Sequence, residues 1–174
     1  MTVIAGYRTE GVTCIAADSS ASDDASIESR LEPKVWEQGE WTVASCPSFR
    51  LMQVLKYEIS FDSILGSPDE TCMKELVRKL VPLLKLRLDA DASVGTDWCI
   101  MFGGMGNLWI MDADYAINEV ETYASLGSGA DYAMGAMSVM DEDDYLIADI
   151  AFKAAEAACS HSQSCCGPIN LLLS

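Results

Sequence analysis

The sequence is short of positive charge: 11 lysines and arginines stand against 27 aspartates and glutamates, giving a net charge of −16. A surface of that sign repels phosphate backbones and anionic headgroups, so neither nucleic acid nor a membrane is an expected partner. Long apolar runs are also missing. No stretch approaches the ~18–20 apolar residues of a membrane span, and Met1-Thr2-Val3 lacks the charged start and apolar core of a secretory signal. The seven cysteines are odd in number and follow no regular disulfide-framework spacing, which fits buried thiols in a reducing compartment. The expectation is a soluble, cytoplasmic protein.

Cofactor signatures are equally sparse. Cys159, His161, Cys165 and Cys166 match no standard zinc spacing. Gly127-Ser128-Gly129 precedes a helical pattern but lacks the dinucleotide fingerprint and the Walker lysine. The acidic run Asp141-Glu142-Asp143-Asp144 reads as solvated charge at a helix start. No metal and no other cofactor is expected.

What is present is a chain of 174 residues, half of them apolar, enough for one domain with a real core. Thr2–Tyr7 and Gly11–Ala17 are apolar, β-branched runs joined by Arg8-Thr9-Glu10-Gly11, a hairpin pattern. Residues 19–30 are small and polar and read as a loop or irregular strand. Residues 31–36 and 41–46 form a second hairpin around Glu37-Gln38-Gly39-Glu40. A helix is predicted from Pro47-Ser48, with Leu51, Val54, Leu55 and Ile59 on one face. Another is predicted from Ser67-Pro68-Asp69-Glu70, with Ser67 as N-cap and Glu70 closing a capping box; Pro82 should kink or break it. Strands follow at 98–102, 107–111 and 116–122, then helices at 130–140 and 145–161, and a last strand within 163–173. Strands, two helices, strands, two helices is an α+β order in which helix pairs cover stacked sheets.

Thr2 is the candidate for chemistry. A threonine hydroxyl needs an adjacent base, and a free α-amino group on the same residue supplies one once Met1 is removed. A nearby cation would favour the neutral amine, whose ordinary pKa is ~7.7–8. Taken singly, each partner has a plain structural reading: Thr2 starts a strand, Asp18 caps a turn, and Lys34 is a solvated charge.

Taken together, Met1-Thr2-Val3-Ile4, Ile15-Ala16-Ala17-Asp18, Lys34-Val35, Val43-Ala44-Ser45, the stretch from Leu126 to Ala133 and that from Asp149 to Ala155 resemble successive landmarks of the proteasome β-type, HslV-like N-terminal-nucleophile threonine peptidases. The resemblance spans nearly the whole chain. It implies a four-layer αββα sandwich in a single domain, 1–174. It assigns Thr2 as nucleophile, Lys34 held by Asp18 as the cation, Ser128 as a partner of the amine, and the backbone N–H of Ser45 as oxyanion donor. Val43, with Leu51 and Trp36, would line a pocket for apolar side chains before the cut. It further implies a homo-oligomer of stacked six- or seven-fold rings, an ATP-driven unfoldase, and unfolded polypeptide as substrate.

Three departures from the family pattern stand out. Ser45 occupies a position where the family has glycine, the turn before Trp41 is one residue shorter, and Ser160–Ser164 contains no carboxylate to support Ser128. Two other readings fit the same residues: a catalytically silent subunit that keeps Met1 and serves assembly, and an amidohydrolase of the same nucleophile class acting on a small amide.

Overall fold

A computed structural model describes residues 2–22, 27–29, 32–89, 92–140, 144–163 and 165–174, with backbone alone for 21, 22, 27–29 and 92. Met1, Leu31, Ser164 and the acidic residues Asp141-Glu142-Asp143 lie outside the described residues.

Strand β1 (Ile4–Thr9) turns at Glu10-Gly11 into β2 (Val12–Asp18), Gly11 adopting the φ of +79° that the tight turn requires. A short antiparallel pair follows, β3 (Ser20–Ser22) and β4 (Ile27–Ser29), where an irregular segment was expected. The second hairpin is β5 (Val35–Gln38) and β6 (Trp41–Cys46). Then come α1 (Phe49–Tyr57), α2 (Phe61–Leu65), α3 (Met73–Glu75), a π-type turn over Leu76–Leu80, and α4 (Val81–Leu88). Strands β7 (Cys99–Gly104), β8 (Asn107–Asp112), β9 (Ile117–Glu119) and β10 (Tyr123–Leu126) precede α5 (Ala130–Met137), α6 (Ile147–His161) and β11 (Ile169–Leu173).

The strands form one antiparallel sheet in the order β10-β1-β2-β11 and another in the order β5-β6-β7-β8-β9. Side chains alternate faces along a strand, and here both faces are apolar. In the first sheet Val3, Ala5, Cys14 and Ala16 pack under α5 and α6, while Ile4, Ile15 and Ala17 face the second sheet. In the second sheet Val43, Ile100, Phe102 and Trp109 face α1 to α4, while Ala44, Met101 and Leu108 face the first. Three buried layers between four layers of elements give an αββα sandwich. Close contact of the sheets depends on Gly6, where a Cβ would collide with the Met101 sulfur.

Two helix expectations are corrected. Ser67-Pro68-Asp69-Glu70 does not start a helix: the Glu70 N–H and the Thr71 hydroxyl bond back to the Ser67 carbonyl and close a turn. The helix begins six residues after Ser67, at Met73, with Cys72 at the cap position and its carbonyl accepting from Glu75 and Leu76. Pro82 neither breaks nor ends the helical path. The wider turn, closed by the Val81 N–H to the Leu76 carbonyl, precedes it, and Pro82 falls in the first turn of α4, where a missing N–H is tolerated.

The outer core of the second sheet centres on Trp41, whose ring lies 5.8 Å from Phe61 and 5.7 Å from Trp109, with its indole N–H donated to the Gly66 carbonyl at 2.7 Å. Phe61 is fully buried on α2, a helix too short to be stable without it. Phe61→Ala should therefore destabilise the fold by about 3–5 kcal/mol, read as a lower urea midpoint followed by tryptophan fluorescence.

Candidate active site

The registers of the first sheet bring the site together. Ile4 pairs with Ala17 on one side and with Leu126 on the other, so the segment before β1 lies between Asp18 and the loop that carries Ser128. The Val3 N–H donates to Asp18 Oδ1 at 2.9 Å, and the Thr2 N–H donates to Ser128 Oγ at 3.2 Å. Lys34 arrives from the other sheet, immediately before β5. Its ammonium donates to Thr2 Oγ1 at 2.8 Å and to Asp18 Oδ1 at 2.9 Å.

Burial makes this arrangement consequential. Thr2 is 2 % exposed, Asp18 0 % and Lys34 4 %. An ammonium and a carboxylate removed from water must be paired and hydrogen-bonded. Asp18 Oδ2 accepts from both the N–H and the hydroxyl of Ser20, and Ser20 Oγ in turn accepts from the Cys166 N–H at 3.3 Å. The carboxylate is thus fixed by β3 and by the segment before β11.

Backbone contacts set the position of Thr2 from behind. The Gly129 N–H donates to the Thr2 carbonyl at 3.1 Å. Gly127 has a φ of +89°, and a Cβ there would collide with the Thr2 carbonyl and lie 3.3 Å from Thr2 Cβ. On the open side, a cavity of about 390 Å³ is lined by Thr2, Cys46, Pro47, Asp97, Cys99 and Ser128 among others.

Of the residues expected from the sequence, Thr2, Asp18, Lys34 and Ser128 converge. Ser45 differs from expectation in one respect: its N–H donates to the Lys34 carbonyl at 3.3 Å, a bond between β5 and β6, and its buried hydroxyl has no hydrogen-bond partner among the described residues. Val43, Leu51 and Trp36 belong to the core beneath α1 to α4 and do not line the described cavity. Alternation explains this, since Val43 lies on the opposite face of β6 from Ala44 and Cys46.

Other residues at the site were not anticipated. Ser20 carried a local signal, since a serine two residues after an aspartate readily bonds to it. Cys165 is buried, and that burial pushes its thiol up against the opposing influence of the Ser162 and Ser128 hydroxyls. It stands beside Ser128 where a carboxylate was missing from the sequence, and a cysteine gives no pattern that would announce this. Among the described residues no cluster of three or more metal-ligating side chains occurs, and no helix is long and apolar enough to cross a membrane.

Removing one partner of the buried pair strands the other charge. Asp18→Ala should destabilise the fold by about 3–5 kcal/mol, whereas Asp18→Ala combined with Lys34→Met should be less destabilised than the sum of the two single changes. Chemical denaturation of the four proteins measures this coupling.

No family model and no curated protein matches the sequence. Solved structures do. BPH of Thiobacillus denitrificans, in complex with epoxomicin, superposes with a TM-score of 0.77 at 18 % identity, covering 99 % of this chain and 97 % of that one. HslV of Trypanosoma brucei gives 0.77 at 15 % identity over 98 % of both chains. Anbu of Yersinia bercovieri, described as an ancestral beta-subunit, gives 0.75 at 15 % identity over 98 % of this chain and 80 % of that one. With two antiparallel sheets between helix layers, this chain has the proteasome β-type, HslV-like N-terminal-nucleophile fold.

Proposed function

We propose that this protein is a threonine peptidase subunit that hydrolyses peptide bonds of unfolded polypeptides, with Thr2 as nucleophile once Met1 is removed. The observation that carries the reading is the Lys34 ammonium placed between Thr2 Oγ1 and Asp18 Oδ1 beside an open cavity. A cation against the hydroxyl oxygen stabilises the negative charge that develops there as the proton leaves. The freed Thr2 amine takes that proton, and Oγ1 bonds to the substrate carbonyl carbon. The amine then returns the proton to the departing amino group, leaving an ester on Thr2. Water, deprotonated by the same amine, releases the second product.

Ser128, which meets the Thr2 nitrogen in the folded chain, orients the amine. The Ser45 N–H would reach a substrate oxyanion only by exchanging the Lys34 carbonyl for it. The neighbours named HslV and Anbu support a self-compartmentalising subunit: a homo-oligomer of stacked hexameric or heptameric rings, served by an ATP-dependent unfoldase in the cytoplasm.

The occupied Ser45 N–H and the lack of a carboxylate in the sequence Ser160–Ser164 favour a second reading, an assembling but silent subunit. Intact mass before and after incubation with a peptide epoxyketone separates the two. The peptidase reading expects loss of one methionine and a single adduct that disappears in Thr2→Ala. A retained Met1 with no adduct overturns it. In an active protein, Lys34→Met should lower kcat about 10²–10³-fold with a smaller change in KM, measured on a fluorogenic peptide.

A further inference from the structure

The cavity beside Thr2 has a second chemical feature that peptide hydrolysis does not use. Cys46 at the end of β6 and Cys99 at the start of β7 are paired directly across the two antiparallel strands, and their sulfurs lie 3.2 Å apart in a hydrogen bond. Residues directly opposite on neighbouring strands have Cβ atoms ~4.5–5.5 Å apart, so a modest closure reaches the ~3.5–4.5 Å that a disulfide spans. Both residues line the cavity, Cys46 buried and Cys99 half-buried, so a reagent entering there meets Cys99 first.

From this geometry we propose that Cys46 and Cys99 are a reversible dithiol–disulfide site on the wall facing Thr2, oxidised by small neutral or cationic disulfides. The inference rests on the two thiols and stands apart from the reactivity of Thr2.

The chemistry divides between the sulfurs. The hydrogen bond between the two sulfurs holds the Cys99 thiol below its ordinary value, against burial and the charges of Asp112 and Asp97. The same bond, with burial, pushes Cys46 up. Cys99, the more exposed of the two, is therefore the attacking thiolate and the buried Cys46 the resolving thiol. Cys99 sulfur bonds to one sulfur of the incoming disulfide, whose S–S bond breaks, and one thiolate leaves. That thiolate takes the Cys46 proton. The Cys46 sulfur then attacks Cys99, and the second half departs as a thiolate that is protonated by water. Two protein thiols are oxidised to one disulfide, and the small disulfide is reduced to two thiols.

The class of oxidant follows from charge. Asp97 lines the same cavity, so its carboxylate repels an anionic disulfide and draws in a cationic one. The remaining cysteines are less suited. Burial pushes both Cys14 and Cys159 up to about 12, burial likewise raises Cys165, and Cys72 and Cys166 do not line the cavity.

The test treats the native protein with cystamine or with oxidised glutathione, caps remaining thiols with N-ethylmaleimide, and maps disulfides by mass spectrometry without reduction. The expected result is a Cys46–Cys99 linked peptide pair with loss of two hydrogens, reversed by dithiothreitol, and formed at least ~10-fold faster with cystamine than with oxidised glutathione at low salt. Cys46→Ala should leave a stable mixed disulfide on Cys99, since nothing resolves it. Capping of both cysteines after oxidation, a bridge confined to Cys159, Cys165 or Cys166, or a mixed disulfide that persists in the unaltered protein overturns the site. Equal rates with the two reagents overturn the charge selection. Because the unaltered protein supplies the deciding map, the result does not depend on how well the variant folds.

Discussion

The structure turns on one buried cation. Lys34, immediately before β5 of the second sheet, reaches Thr2, just before β1, and Asp18, the last residue of β2, both on the side of the first sheet. The contact therefore ties the two inner layers together at the end where the cavity opens. Such a pair adds little net stability, because stripping water from both ions offsets most of their attraction. Its contribution is positional. With Asp18 fixed by Val3 and Ser20, the ammonium has a defined place, and the Thr2 oxygen is held against it.

Small residues make that placement sterically feasible. The loop at Gly127-Ser128-Gly129 is wedged between β1 and α6: a Cβ on Gly129 would sit 2.9 Å from the Cys165 sulfur and 3.0 Å from Ala158 and Val3. Helix α6 presents Ala151, Ala154, Ala155 and Ala158 to the first sheet, so it lies close to strands whose own inward residues include Ala5 and Ala16. A larger side chain on either surface would push the helix layer outward and carry the Ser128 loop with it. The alanine-rich last helix and the placement of Thr2 are two parts of one packing solution.

These relations also explain what could be read in the sequence. Asp18, Lys34 and Ser128 were picked out by the family resemblance, since singly Asp18 reads as a turn cap and Lys34 as a solvated charge; it is the hairpin registers that bring them to one place. The covering helices were legible from their apolar spacing. Side-chain direction was not: Val43 and Ala44 are neighbours in sequence, yet one faces α1 and the other the first sheet. The Ser67 turn misled for a related reason. Its cap-like residues satisfy one another through backbone bonds to the Ser67 carbonyl, a closed local solution that a capping pattern does not distinguish from a helix start. Cys46, Cys99 and Cys165 gave no signal, since the contacts that define their roles come from distant segments.

The charge of the whole chain bears on the site less than its sign suggests. A net −16 distributed over the surface would by itself favour protonated amines and oppose a developing alkoxide. Surface charges, however, act through solvent and are screened beyond about 8–10 Å at ordinary ionic strength. The Lys34 ammonium is buried and in contact with the Thr2 oxygen, and contact in a low-dielectric site outweighs a diffuse field. Its counter-charge is shared, because Asp18 also accepts from the Val3 N–H and from Ser20. Of that ion pair, the hydroxyl of Thr2 meets the ammonium. An acidic exterior and an electropositive nucleophile site coexist in one small domain because burial separates them.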